Sequence, residues 1–186
     1  NGKRTGIASV RVAVEMVKEK LISKEEAILR IEPDQIAQLL APVFDNREKG
    51  GAVKSGRLLA KGIDAGPGAA TGKIAFTAEK AVEMSKAGPV VLVRPETNPD
   101  DIEGMVVAEG ILTAIGGRTS HAAVVARGWG KSCIVGAGSL KIDYKKRTVS
   151  AGKITLKEND WISLNGSTGT VYLGQIPTEA SPVVNA

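Results

Sequence analysis

His121 is the only histidine in the 186-residue chain, and it lies in the segment GGRTSHAAVVARG, residues 116–128. Gly116 and Gly117 precede it, and the apolar residues that follow it recur at helical spacing. A glycine pair before a helix start lets the backbone turn and directs amide N–H groups toward an anion. This spacing therefore predicts a phosphate-binding helix terminus with a histidine in its first turn.

The residues between the glycines and His121 carry groups that can bind a phosphoryl group. Arg118 offers a planar guanidinium, and Thr119 and Ser120 offer hydroxyl donors. The partial positive charge of a helix N-terminus disfavours a protonated imidazole, and the neutral ring is the nucleophilic form. The pattern therefore indicates that His121 accepts a phosphoryl group and holds it among donors from residues 116–120.

Other interpretations of His121 stay open at this point. A lone histidine near a helix start is more often a cap or a surface residue than a nucleophile. Ser120 lacks the orienting carboxylate that a hydrolase nucleophile needs. One histidine and one cysteine are too few ligands for a typical zinc site, so we predict no metal site in this chain.

The composition argues against several classes of protein. Hydrophobic residues make up 42% and aromatic residues 3%, which predicts an ordered domain with an aliphatic core. Most of the net charge of +5 lies in the first third of the chain, where glutamates interleave with the basic residues, so we predict no nucleic-acid partner. No apolar run approaches a membrane span, and the single cysteine suits a reducing compartment. We predict a cytoplasmic protein, or one of the plastid stroma if the source is a plant.

The hydrophobic pattern divides the chain into three parts. Residues 1–57 are predicted to be a helical arm with a linker from residue 46, in which Ser23 and Asp34 cap the second and third helices. Residues 58–175 alternate short apolar strands with helices, which predicts an α/β domain. Residues 176–186 are predicted to be a loose tail.

Within the central part, three local signals are clear. NGSTG at 165–169 predicts a hairpin. The helix that begins at His121 is predicted to run to Ala126, with Gly128 as its C-terminal stop. The glycine-rich AGPGAATG at 65–72 is predicted to be mostly turn.

The segment GGRTSHAAVVARGWGKSCIVG, 116–136, resembles the phosphohistidine domain of the phosphoenolpyruvate-utilising enzymes. The resemblance continues in order and spacing through NGKRTG, GPGAATGKIAFTAEKAVE, RPETNPDDIEGMVVAEGILT and ENDWISLNGSTG. The pyruvate, phosphate dikinases are the branch that it resembles most. The resemblance implies a swivelling β/β/α phosphohistidine domain with an N-terminal helical arm.

The resemblance implies that this domain is a phosphoryl carrier within a larger enzyme. An ATP-grasp domain would use ATP and inorganic phosphate to load the distal ring nitrogen of His121, and a TIM-barrel domain would pass the phosphoryl group to pyruvate. Magnesium is implied at both of those sites, bound by the other domains and not by this chain. The full enzyme is implied to be a homodimer. The chain begins at Asn1, without a methionine, so we expect an excised part that is inactive alone.

Two neighbours of His121 carry further implications of the resemblance. Thr119 matches a threonine that a regulatory kinase/phosphatase modifies in many dikinases, and a phosphate there would repel a second anion. Arg118 departs from the methionine usual in dikinases, whereas Ser120 departs from the cysteine usual in phosphoenolpyruvate synthases. The arm, the GWGK segment and DWISLNGSTG favour the dikinase, which is therefore the first hypothesis. A synthase, the sugar-transport enzyme I, and a docking module that uses Thr119 without carrying phosphate are the alternatives.

Overall fold

A computed structural model describes residues 6–183. For Asn46 it describes only the backbone. Most of the NGKRTG motif, residues 1–6, therefore lies outside the described residues. The chain divides into two compact units, one of residues 1–41 with 180–186 and the other of residues 42–179. Within the described range, none of the helices is both long enough and apolar enough to cross a membrane.

The smaller unit is helical, as predicted for the arm. Its helices are α1 (Gly6–Lys18), α2 (Lys24–Leu29) and α3 (Pro33–Leu40). Ser23 caps α2 as predicted, because its Oγ accepts a hydrogen bond from the backbone N–H of Glu26 at 3.1 Å. The prediction that Asp34 caps α3 was wrong: Glu32 holds the N-cap position and Pro33 begins the helix. Proline suits that first position because its φ is already helical and its missing N–H would have no partner there.

The larger unit is an α/β domain. The strands of this unit are β1 (Val43–Phe44), β2 (Leu58–Lys61), β3 (Ile63–Gly66), β4 (Ala69–Ala75), β5 (Val90–Arg94), β6 (Gly110–Thr113), β7 (Ser132–Val135), β8 (Lys141–Asp143), β9 (Thr148–Ala151), β10 (Ile154–Lys157), β11 (Trp161–Asn165), β12 (Thr170–Leu173) and β13 (Thr178–Glu179). Eight of them form one large sheet in the order β2-β12-β11-β4-β5-β6-β7-β3. The helices of this unit are α4 (Asn46–Lys54), α5 (Ala78–Ser85), α6 (Ile102–Val107) and α7 (His121–Gly128), with a 3₁₀ turn at Pro99–Asp101.

The layers of this domain are β/β/α, which confirms the predicted class. One face of the large sheet packs against the three-stranded sheet β10-β9-β8 through an aliphatic cluster that includes Ile74, Leu112 and Val149. The other face packs against α5, α6 and α7 through a second cluster, to which Met105 and Ala126 contribute. Burial of these apolar surfaces is the main force that stabilises the three layers.

The central strands decide where the site lies. β4 to β7 pair in parallel, and α5, α6 and α7 connect them in turn. The loops that follow β5 and β6 therefore leave the same edge of the sheet, at the carboxyl ends of the strands, where ligands bind in open α/β sheets. The loop after β5 carries Thr97, and the loop after β6 leads to His121 at the start of α7.

Several segments differ from their predicted form. Residues 46–54, predicted as an irregular linker, form helix α4, which Asp45 caps by accepting from the N–H groups of Arg47 and Glu48. The predicted loose tail begins with a buried Ile176 and then pairs as β13 with β1. The local sequence pattern predicts neither feature, because packing and pairing with distant residues stabilise both.

The glycine-rich segment 65–72 is largely strand instead of turn. Its glycines are needed for close packing between backbones: a Cβ on Gly66 would lie 2.3 Å from the carbonyl oxygen of Lys131, and one on Gly72 would lie 2.7 Å from Val90. The hairpin predicted at 165–169 is confirmed, because Asn165 pairs with Thr170 across the turn.

Cys133 lies in β7, fully buried, and its thiol faces the carbonyl oxygen of Ala122. Burial raises the pKa of the Cys133 thiol from 9.0 to about 12. We therefore expect alkylation of the native protein at pH 8 to be about a thousandfold slower than that of the denatured chain, because thiolate is the reactive form. Mass spectrometry of iodoacetamide-treated protein measures this ratio, and comparable rates in the two states would contradict it. The same shift removes stability as the pH rises from 9 toward 12, because only the unfolded thiol ionises in that window.

Candidate functional site

His121 is the first residue of α7, as predicted, and it is half-buried. Ser120 is the N-cap in an extended conformation, and its carbonyl oxygen accepts the first helical bond, from the N–H of Val124 at 3.0 Å. The helix ends at Gly128, the residue predicted to stop it, and so extends beyond Ala126, where the sequence placed its end. Gly130 supplies the left-handed residue just beyond the helix, with φ at +66°.

The imidazole is held by a residue that sequence reasoning missed. The Oγ1 of Thr97 lies 3.0 Å from the Nδ1 of His121, and Thr97 is only 8% exposed. The Nε2 of His121 makes no hydrogen bond with any described residue. The two residues are 24 positions apart in sequence, so no local pattern connects them. The parallel pairing of β5 with β6 brings them together.

The glycine pair has two different roles. Gly116 has φ at +114°, and a Cβ there would lie 3.0 Å from the side chain of Ser120. Gly117 has open space around it, and its carbonyl oxygen accepts a hydrogen bond from the N–H of Ser120 at 3.0 Å, which closes the turn before α7. A Cβ on Gly136 would in turn lie 2.6 Å from the carbonyl oxygen of Gly116. The backbone of the loop is thus packed on one side and open on the other.

Two arginines fix the loop that leads to His121. The guanidinium of Arg118 pairs with the carboxylate of Asp64 at 2.6 Å, and both side chains are largely exposed. The guanidinium of Arg127 donates to the carbonyl oxygens of Arg118 and Ala123. Arg127 therefore ties the loop to its own helix.

The two hydroxyl residues of the motif are placed differently. Thr119 is exposed. The Oγ of Ser120 is buried and forms no hydrogen bond with any described residue. Of the residues predicted to support a phosphate, Gly117, Arg118 and Thr119 thus lie on the open side of the loop or extend into solvent. Among the described residues, no group of three or more histidines, cysteines and carboxylates is placed to hold a metal ion.

Alanine at the two loop glycines separates their roles. We expect Gly116→Ala to destabilise the larger unit by about 1–3 kcal/mol, because the backbone there is left-handed and Ser120 is in close contact. Gly117→Ala is the matched control and should leave the free energy of unfolding within about 0.5 kcal/mol, since the added methyl meets open space. Urea unfolding of both variants measures the difference, and equal values would contradict the packing described for Gly116.

Comparison with known proteins shows what this chain is similar to. The family described as "PEP-utilising enzyme, mobile domain" matches residues 87–169, the part that includes Thr97 and His121. Chloroplastic pyruvate, phosphate dikinase 1 of Arabidopsis thaliana is 51% identical over 94% of this chain, and the pyruvate, phosphate dikinase of Clostridium symbiosum is 48% identical over 98%. The chain is thus similar to the PEP-utilising enzymes, through the mobile-domain match in one part and through the dikinases over nearly its whole length.

The alignments cover nearly all of this chain but only a small part of each relative. Nearly all of this chain aligns, but it spans 18% of the Arabidopsis protein and 21% of the Clostridium protein. An NMR structure of Enzyme I aligns with 46% of the chain at 26% identity, with a TM-score of 0.34. These relatives are therefore much longer than this chain, which aligns with about a fifth of each.

Proposed function

We propose that this domain carries a phosphoryl group on the Nε2 atom of His121 between two reaction centres of a pyruvate, phosphate dikinase. The observation that supports the proposal is the contact between Thr97 Oγ1 and His121 Nδ1. When Nδ1–H donates to Thr97, the lone pair must lie on Nε2, the ring nitrogen without a protein partner among the described residues. We propose that the Thr97 hydroxyl, which can donate or accept, accepts the Nδ1 proton here and so leaves Nε2 as the nucleophilic atom.

The proposed chemistry is a displacement at phosphorus. The Nε2 lone pair forms the new N–P bond to the β-phosphorus of ATP while the P–O bond to AMP breaks, and the proton stays on Nδ1. The γ-phosphoryl group then passes to inorganic phosphate and leaves as pyrophosphate, so one phosphoryl group stays on His121. The N–H groups at the start of α7 then face the transferred oxygens. Arg118 can exchange Asp64 for the phosphoryl group at little cost, because an ion pair between such exposed side chains contributes at most about 1 kcal/mol.

The rest of the reaction belongs to the longer protein. ATP and inorganic phosphate would load His121 at an ATP-grasp domain with release of AMP and pyrophosphate, and pyruvate would accept the group at a TIM-barrel domain. The magnesium ions that such steps use are proposed to bind those domains. The homodimer of the full enzyme and its cytoplasmic or plastid location stay predictions.

The decisive experiment is to locate the phosphate. This chain replaces its counterpart in the Clostridium symbiosum enzyme, which is 48% identical, and the chimera is incubated with ATP labelled in the β position. We expect acid-labile label on a His121 peptide, with ³¹P–¹⁵N NMR placing it on Nε2. In the full-length protein to which this chain belongs, loading that requires inorganic phosphate supports the dikinase, whereas loading without it supports a synthase. If the chimera is folded but the label never reaches His121, only the docking module remains as a hypothesis.

Thr119 is proposed as a regulatory phosphorylation site, since it is exposed and two residues from His121. A phosphate there would add nearly two negative charges beside a group that must accept an anion. We expect Thr119→Glu to slow loading of His121 in the chimera by about tenfold or more, and Thr119→Val, the uncharged control, to have a small effect. Equal rates for the two variants would show that charge at this position does not regulate loading.

A further inference from the structure

The loop that presents Thr97 to His121 is closed by a buried ion pair. Arg94 ends β5 and Asp101 ends the 3₁₀ turn Pro99–Asp101, so the two residues flank Thr97 on either side. The Nε of Arg94 lies 3.1 Å from one carboxylate oxygen of Asp101, and the two side chains are 19% and 4% exposed. The Nε–H does not point along this contact, so the contact is an ion pair without a hydrogen bond.

The second oxygen of Asp101 reaches the residue next to Thr97. It accepts a hydrogen bond from the backbone N–H of Asn98 at 3.0 Å. The side chain of Asn98 accepts in turn from the N–H of Asp100 at 2.8 Å. The backbone directly after Thr97 is therefore fixed by a carboxylate whose own position depends on Arg94.

Arg94 is itself held from two further directions. Its Nη1 donates to the carbonyl oxygen of Phe76 at 3.1 Å, and its guanidinium lies 4.9 Å from the ring centroid of Tyr144. A planar guanidinium suits such a site because it can bond in its plane and stack on its face. Since a buried carboxylate without its cation is costly, Arg94 and Asp101 act as one unit.

We infer that the Arg94–Asp101 pair positions the phosphoryl-accepting histidine through Thr97. By fixing the backbone of Asn98, the pair keeps the Oγ1 of Thr97 on the Nδ1 of His121, which holds the proton on Nδ1 and the lone pair on Nε2. Both are positioning residues, because within the described residues neither contacts the imidazole. The inference rests on the proposed function and extends it from His121 to a pair outside the GGRTSH motif.

The single histidine makes a direct test possible. With ¹⁵N-labelled histidine, the NMR spectrum at alkaline pH, where the ring is neutral, reports the tautomer of His121 alone. We expect a protonated Nδ1 in the unmodified chain. In Asp101→Asn, an amide NH₂ replaces one of the two acceptor oxygens, and the ratio of the two tautomers should fall about fivefold, the effect of one typical hydrogen bond. Arg94→Lys keeps the positive charge, but its tautomer ratio should still lie below the native one, because an ammonium group cannot stack as a plane.

A matched control removes another buried carboxylate partner of an arginine. Glu158→Gln disrupts the Arg147–Glu158 pair, in which Glu158 is 10% exposed, in the turn between β10 and β11. The tautomer ratio should stay at its native value in this variant. A change as large as that of Asp101→Asn would mean that general loosening of the domain, and not the pair, moves the ring.

Two results would overturn the inference. One is an unchanged His121 spectrum in folded Asp101→Asn, when Thr97→Val changes it. The other needs no variant: hydrogen exchange of the Asn98 amide in the unmodified chain as fast as that of exposed Glu96. This second measurement decides the matter if Asp101→Asn does not fold. The tautomer ratio and the exchange rate are both measured without phosphoryl transfer. These tests can therefore confirm or overturn the positioning role of the pair even if His121 proves not to carry phosphate.

Discussion

His121→Asn should reduce phosphoryl transfer through this domain to background, a loss of at least about a thousandfold in the chimera. The chain contains no second histidine that could accept the group. Asparagine can keep a polar atom near Thr97 but has nothing at the position of Nε2. The helix should be retained, because its first bond is made by the carbonyl oxygen of Ser120. Measurement of labelled phosphoenolpyruvate formation with and without the substitution gives the ratio.

Thr97→Val is the milder variant that serves as the control for this prediction. It keeps the imidazole and removes only the hydroxyl on Nδ1, so transfer should fall by about 10–100-fold, the range found when a group that orients a functional histidine is lost. Circular dichroism should show both variants folded. Substantial transfer by folded His121→Asn would refute the carrier role outright.

Gly166→Ala should destabilise the larger unit by about 3 kcal/mol or more, or prevent its folding. A Cβ on Gly166 would lie 1.9 Å from the carbonyl oxygen of Gly66 and 2.8 Å from the Oγ of Ser132. The nearest of these atoms is backbone, so relief requires a shift of β3 or of the hairpin between β11 and β12, which is the costly case of overpacking. Thermal and urea unfolding of the larger unit in the full chain measure the loss.

Gly138→Ala is the matched control, because a Cβ there meets no atom within 4 Å and the backbone has no left-handed φ. Its free energy of unfolding should change by less than about 0.5 kcal/mol. If Gly166→Ala were as stable as Gly138→Ala, the close approach of β3 to the hairpin would be incorrect.

Local chemistry made some features predictable from the sequence. The start of α7 at His121 follows from the glycine pair and the apolar spacing behind it, and the hairpin at 165–169 follows from turn residues. Cys133 lies in an apolar strand and is buried accordingly. In each case the residues that decide the structure are neighbours in the chain, so their types and spacing contain the information.

The sequence by itself determined the α/β class, the α7 terminus and the choice of His121 as the candidate carrier. Only the tertiary structure decided which groups surround that ring: Thr97 on Nδ1, Asp64 on Arg118, and the Arg94–Asp101 pair behind the loop. These contacts join residues on different strands and loops. Parallel strand pairing places the carboxyl ends of β5 and β6 side by side, and no period or motif along the chain encodes that neighbourhood. Helix α4 and strand β13 were missed for the same reason, since packing and pairing with distant residues stabilise them.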